Sequence, residues 1–394
     1  MILRSPIEGE LAKRQRIVPG GGTSGVVEGS EQKGGRMTDA VHETTPWRRH
    51  PGEIESGLIA WAHAFGDSGA KVTEVRMPDS GMSNDTVLFR LGGEALVARL
   101  APAPRSYPTF PKYDLTFQQR VIELVRRRTS VPAPEIVHIE SSEEWLGVPF
   151  MVVRAIDGVV PSDSPPYLLD PTGWFLQGTP EQWKRFETST IEVLVQLHRV
   201  IDDGEETAFL HLMEPGDTAL ARQLASHRRY YEWARQGHTV PILERAFDVL
   251  GATMPPNTRH ILNWGDARPG NIIYRDFEPV AVLDWEMAGV GPPEVDLAWT
   301  TFFQRFFAGF AEQYGLPPVP TMFDRAEAVA TYEGLSGDTL DELAWYEALA
   351  GLRFGIILTR MSQRSIAFGV KTMPEDPDDL VMFAPLLDRM LGDL

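Results

Sequence analysis

The chain contains no cysteine in its 394 residues, which excludes disulfide scaffolds, thiolate zinc sites, iron–sulfur clusters and cysteine nucleophiles. It also lacks any apolar run near the roughly 18–20 residues needed to span a bilayer. The longest candidate, residues 297–310, is interrupted by Gln304 and Arg305. Basic residues are scarce, 37 Lys and Arg against 55 Asp and Glu, giving a formal charge of −18. A nucleic-acid surface needs a basic face, so none is expected; nor is a membrane contact or an obligate protein partner. The 9 histidines form neither an HExxH motif nor a spaced pair fit for zinc. The N-terminal MILRSPIEGELAKRQR has no continuous apolar stretch of the secretory kind, so the sequence predicts a cytoplasmic protein. What is present is 43 % hydrophobic against 23 % charged residues, enough for a substantial core in two domains or one bilobal unit. The acidity suits a cationic small substrate, or a phosphate ligand held through Mg²⁺.

Residues 1–45 are rich in Gly, Ser and charge, have no periodicity, and read as a flexible segment. Residues 20–25 fit G-x-G-x-x-G literally, but only Ile17 and Val18 stand where a strand should precede, so a dinucleotide site is not expected. Residues 46–155 read as a small α+β lobe. A helix over 54–65 is followed by short strands at 73–76, 86–90 and 95–100, a helix at 115–128, and strands at 135–139 and 149–154. Residues 156–394 carry long helical patterns at 181–200, 220–236, 241–250 and 340–367, with a hairpin at 271–274 and 280–283. The expected fold is α+β and bilobal, a small antiparallel-sheet lobe followed by a large helical one.

The densest unusual run is Asn263-Trp264-Gly265-Asp266-Ala267-Arg268-Pro269-Gly270-Asn271, leading into the hairpin, after which comes Asp284-Trp285-Glu286. Asp266 and Asn271 lie on a loop whose Pro and Gly forbid regular helix, and a returning strand carries Asp284 back toward Asn271. Phosphoryl transfer needs such a set: a carboxylate near the attacking hydroxyl, and an oxygen pair that holds Mg²⁺ against the nucleotide's phosphates. Positioning and charge neutralisation supply the rate.

The stretches GDARPGNIIY and VLDWEMAGVGPPEVDLAW resemble the aminoglycoside phosphotransferase and choline kinase superfamily, most closely its branch related to the kinase domain fused to some acyl-CoA dehydrogenases. That resemblance, over residues 50–394, implies a protein-kinase-like fold and an ATP- and Mg²⁺-dependent enzyme that phosphorylates hydroxyls of aminoglycoside-like or other alcohols. It implies Asp266 as base, Arg268 as stabiliser of charge on the phosphoryl group, and Asn271 and Asp284 as metal ligands. Asp296 would brace the catalytic loop, and Glu286 would be a further metal-site residue or a solvated turn. Ser83 and Asn84 would cover the phosphates, Arg99 would grip them, and the backbone around Arg154 and Ile156 would receive adenine.

Three positions depart from the family pattern. Trp264 stands where a loop-bracing His is usual, and Arg99 replaces the small-lobe Lys. Gln118 or Gln119 takes the place of its helix Glu partner, with Glu123 one turn on as a substitute. These departures leave a second reading, a nucleotide-binding kinase homologue of weak or absent activity with a regulatory role. Read as single residues, His198 belongs to an apolar helix face as a packed, hydrogen-bonded histidine. Phe302, Phe303, Phe306, Phe307 and Phe310 recur at three and four residues, as core packing or, alternatively, the wall of an apolar substrate pocket. The acidic run at 375–379 reads as a solvated loop.

Overall fold

The structure, a computed structural model, describes residues 49–65, 71–78, 85–163, 165–256 and 259–394. Ser83, Asn84, residues 1–45 and the 20–25 glycine motif lie outside the described residues.

Helix α1 (Pro51–Phe65) buries Ile54, Leu58, Trp61 and Ala62 on one stripe. Strands β1 (Val72–Arg76), β2 (Asp85–Leu91) and β3 (Glu94–Leu100) form the expected antiparallel meander, and Gly92 and Gly93 turn β2 into β3 at φ 60° and 91°. Helix α2 (Leu115–Arg128) starts at Asp114, whose carboxylate accepts from the Phe117 N–H at 2.9 Å. It ends in Arg126, Arg127 and Arg128, where the helix dipole favours positive charge. Strands β4 (Ile136–Glu140) and β5 (Phe150–Arg154) complete a five-stranded sheet in the order β1-β2-β3-β5-β4. Strand β5 is buried on both faces. Phe150 and Val152 enter a core shared with α1, while Met151 and Val153 enter a second core that includes Val121 and Val125 of α2.

The rest of the chain is mainly helical: α3 (Pro180–Leu197), α4 (Ala219–Ala234), α5 (Pro241–Ala252), α6 (Glu294–Gln313), α7 (Arg325–Ser336), α8 (Leu343–Ala367) and α9 (Ala384–Gly392). Thr179 and Gln182 cap α3 reciprocally. Helix α8 is buried along most of its length and packs against α4, α5, α6 and α9. The expected hairpin is β7 (Ile272–Arg275) with β8 (Glu278–Val282). Around it lies an unexpected ladder, β6 (Ile261–Asn263) with β9 (Gly289–Gly291), each only 3 residues long and too short to show a period. Among the described residues, no helix is long and apolar enough to cross a membrane.

The acidic run at 375–379 is more than a solvated loop. Asp378 Oδ1 accepts the Ile242 N–H at 2.9 Å, capping α5, whose own N-cap residue Val240 has no side-chain oxygen to do so. A second buried acid joins three helices. Glu347 of α8, fully buried, accepts from Thr301 (2.7 Å) and Arg305 (2.6 Å) of α6 and from Arg325 Nε (3.1 Å) of α7. Glu347→Ala would leave two guanidiniums facing each other without their shared carboxylate. The expected cost is about 3 kcal/mol, read as a lower urea midpoint at unchanged slope.

Candidate active site

The site is built by nesting. Strand β6 pairs with β9 on the outside and β7 with β8 on the inside, so the two connections between these ladders, residues 264–271 and 283–288, are held side by side. These connections are the two motifs singled out in the sequence. Backbone bonds lock them together: the Leu283 N–H donates to the Asn271 carbonyl at 2.8 Å. Gly265 sits at φ 90°, and a Cβ there would overlap the Met287 carbonyl, so only glycine lets the loop pass this close to the turn.

Helix α6 grips the loop at 264–271 along one face. Asp296 is fully buried, and its Oδ2 accepts the Trp264 N–H at 2.7 Å while Oδ1 accepts the Gly265 N–H at 2.9 Å. One helical turn on, Trp299 Nε1 donates to Asp266 Oδ1 at 2.7 Å and Thr300 Oγ1 to the Ala267 carbonyl at 2.6 Å. His198 Nε2 donates to Asp296 Oδ2 at 3.1 Å, and its Nδ1 meets the Tyr332 hydroxyl at 2.8 Å, so His198 is a buried brace. Arg353 of α8 donates to the Gly265 carbonyl at 2.7 Å.

These bonds fix the orientation of Asp266. Its Oδ1 accepts from Trp299 and from Arg268 Nε (2.9 Å), whereas Oδ2 bonds to no described residue. Arg268 also donates to Asp163. Burial pulls the Arg268 guanidinium down, but Asp163 and Asp266 outweigh it and hold its pKa above the ordinary value. Asn271 is buried, and its Nδ2 donates to the Asp266 carbonyl at 3.1 Å, which leaves Oδ1 as its donor atom for a cation. Asp284 takes a left-handed backbone, φ 62° and ψ 63°, at the end of β8, a conformation rare outside Gly, Asn and Asp. Its side chain makes no cap bond to the following turn.

Arg99 of β3 reaches across the cleft and donates to Asp284 Oδ1 at 2.5 Å. Burial lowers its pKa, yet the charges of Asp284 and Glu286 outweigh this and leave it raised. The expected helix partner is therefore corrected. Glu123 is exposed and bonded to Gln119 at 2.8 Å, Gln118 is buried, and Arg99 takes its ion pair from Asp284 instead. Glu286 is half-buried, and its charge is felt at Arg99 and Tyr113.

Trp264 performs the bracing expected of the residue it replaces. It is fully buried against Trp285, with ring centroids 5.9 Å apart, and its Nε1 donates to the Leu283 carbonyl at 2.9 Å, directly before Asp284. Trp264→Phe keeps the bulk and removes that link. The expected loss is about 1 kcal/mol in thermal unfolding.

A match to the phosphotransferase enzyme family covers residues 74–330, more than half the chain and all of this loop and turn. The chain belongs to that family. It is 25 % identical over 300 residues to acyl-CoA dehydrogenase family member 10 of Mus musculus, covering 73 % of this chain and 26 % of that one. The chain thus spans between about a quarter and a third of the length of the curated relatives it matches. Among solved structures, a Ralstonia eutropha protein assigned to the aminoglycoside phosphotransferases superimposes with a TM-score of 0.58 at 21 % identity, covering 86 % of this chain and 96 % of that one. An aminoglycoside phosphotransferase in ternary complex with ADP and hygromycin B gives 0.52 at 17 % identity, covering 86 % and 98 %. At these identities the structures establish the fold, a small antiparallel sheet region joined to a helical part.

In this family member the candidate residues of the sheet region divide. Arg99 reaches the turn at Asp284. Arg154 does not: its side chain pairs with Glu135 at 2.9 Å and with Glu94, and its backbone N–H is bonded to Glu135. The Ala155 N–H is likewise engaged, by Ala95, so neither of these two amides is free. Three residues of the site carry no mark in the quoted motifs: Asp163, Tyr332 and Arg353. Trp299 closes the second motif, three residues after Asp296 on one helix face, but was given no role there.

Proposed function

We propose that this phosphotransferase moves the γ-phosphate of ATP to a hydroxyl group of a small molecule, with residues 46–155 as nucleotide lobe and 156–394 as the helical lobe bearing catalytic and acceptor sites. The observation that carries the reading is Asp266, whose Oδ1 is pinned by Trp299 and Arg268 while Oδ2 is left for an acceptor hydroxyl. The acceptor oxygen attacks the γ-phosphorus and its proton passes to Asp266 Oδ2. The bond from phosphorus to the bridging oxygen breaks, and ADP departs with the electron pair. Arg268, fixed charged by two carboxylates, is placed to offset charge on the transferring group.

The donor set fits Mg²⁺. Asn271 Oδ1 and the Asp284 carboxylate are hard oxygens, and Mg²⁺ bound to nucleotide needs only one or two protein ligands, the rest coming from phosphate and water. Among the described residues no three of His, Asp and Glu converge on a metal position, which suits a metal that arrives with its nucleotide rather than a resident cage. When bound, the ion neutralises phosphate charge. The nucleotide must also part Arg99 from Asp284, freeing one for phosphate and the other for metal.

That same ion pair favours a second reading, a nucleotide-binding homologue that does not transfer phosphate. Incubation with Mg·ATP and a library of hydroxyl compounds, followed by ³¹P NMR, separates the two. A new phosphate-monoester resonance is expected; thermal stabilisation by Mg·ATP with no monoester from any acceptor would favour the binding homologue.

A further inference from the structure

We propose that Arg353 is a positioning residue for the reaction: its buried cation, lying over the Trp299 indole, strengthens the N–H bond by which Trp299 holds Asp266. The proposal rests on the reading of Asp266 as base. Trp299 and Arg353 come from different helices, α6 and α8, and meet at the loop 264–271. The Arg353 guanidinium lies 4.4 Å from the Trp299 ring centroid, and Trp299 Nε1 donates to Asp266 Oδ1 at 2.7 Å. Phe303 and Phe354 pack on the indole at 5.2 and 6.4 Å, inclined to it at 76° and 90°, so the ring is held against turning. Displacing a reacting group by about 1 Å can cost about 10²-fold in rate, so the bond that fixes Asp266 carries weight.

Arg353 is an unusual cation for this molecule. It is only 5 % exposed, yet among the described residues no carboxylate pairs with it. Arg268, by contrast, has Asp163 and Asp266, and Arg305 and Arg325 share Glu347. The Arg353 Nη2 donates to the Gly265 carbonyl at 2.7 Å, while its Nε is buried without a hydrogen-bond partner. Burying a guanidinium in this way is costly, and one backbone carbonyl offsets only part of the cost. Its neighbours on α8, Leu349, Leu352, Phe354 and Ile356, are buried and apolar, so packing alone would favour another apolar side chain here. What the guanidinium adds is charge. A cation on an indole face draws π density from the ring nitrogen, which makes the N–H a stronger donor. Burial lowers the Arg353 pKa, Asp296 and Asp266 oppose the fall, and the group stays charged at neutral pH. On the facing helix α4, burial and the Arg353 charge push His227 well below the usual imidazole range, so no second cation competes there.

The deciding readout needs no substrate. In the full chain labelled with ¹⁵N at tryptophan, the Trp299 Nε1–H resonance is assigned by its loss in Trp299→Phe. It is expected to move upfield in Arg353→Met, as a weakened hydrogen bond requires. Arg353→Lys, which keeps a cation at the ring, should fall between the two and stands in if Arg353→Met does not fold; thermal unfolding is the folding control. Turnover is read as ADP release from Mg·ATP with glycerol as the acceptor probe. Arg353→Met should lower kcat about tenfold, the scale of one desolvated cation–π contact. KM for ATP should not change, because among the described residues Arg353 contacts the loop and Trp299 and nothing in residues 46–155. In the Trp299→Phe background the same substitution should cost less than about twofold, since the bond it acts through is already gone. A resonance unmoved in Arg353→Met would overturn the proposal. An undiminished loss in the Trp299→Phe background would also overturn it, leaving Arg353 as a brace of the Gly265 carbonyl alone. The expected resonance shifts in a protein that releases no ADP would uphold the coupling and defeat the phosphotransfer reading. Glycerol phosphate formed by a protein whose resonance does not move would do the reverse.

Discussion

Asp266→Ala is expected to lower kcat for acceptor phosphorylation by about 10²–10⁴-fold while leaving the thermal stabilisation by Mg·ATP in place. The reason is geometric. Asp266 points one oxygen at Trp299 and Arg268 and leaves the other for the acceptor, so its loss removes a proton acceptor but no nucleotide contact. Arg268 keeps Asp163 as a partner in the variant, so its charge stays balanced. Asp284→Ala should give the opposite pattern, a loss of Mg·ATP stabilisation as well as turnover, because that carboxylate, paired with Arg99, is the proposed metal ligand. ADP release and thermal shift, measured on both variants, check the contrast. An Asp266→Ala enzyme with wild-type kcat would remove Asp266 from the base role.

Asp296→Ala should cost about 3–5 kcal/mol of stability. Asp296 is fully buried and accepts two backbone N–H groups and one histidine, so truncation leaves the Trp264 and Gly265 amides and His198 unsatisfied in a closed interior. With typical domain stabilities of about 5–15 kcal/mol, much of the folding margin goes with it. Urea unfolding of the variant would show the loss. Its residual folded fraction should also lose kcat, because the backbone of the catalytic loop is no longer held. His198→Phe, which removes one bond to Asp296 and none to the loop, should cost far less.

How much of this was legible follows the range of each contact. Asp266, Asn271 and Asp284 fall within one nested stretch, so their spacing and the intervening hairpin announced them. The helices with strong periods, 115–128 above all, appear where the pattern put them. Asp163 gave no such signal. It meets Arg268 from 105 positions away out of an irregular Ser- and Pro-rich segment, and no local period encodes that meeting. Arg353 was hidden in the long apolar pattern of α8, where a buried cation runs against the expected core. On α2 the sequence offered Arg99 only Gln118 or Gln119, with Glu123 as a substitute partner, whereas Arg99 pairs with Asp284 across the cleft. The phenylalanine repeat was read as core or pocket wall, and all five rings are buried. Phe302 and Phe306 pack on Phe354 and Phe383, and Phe303 packs on Phe354.

The most direct measurement is a single-turnover quench with [γ-³²P]ATP and a saturating alcohol, wild type beside Asp266→Ala. The label should appear in the alcohol as a stable monoester with wild type and fall at least 10²-fold with the variant. Equal transfer by both proteins, or label released only as inorganic phosphate, would contradict a phosphotransferase in which Asp266 accepts the hydroxyl proton.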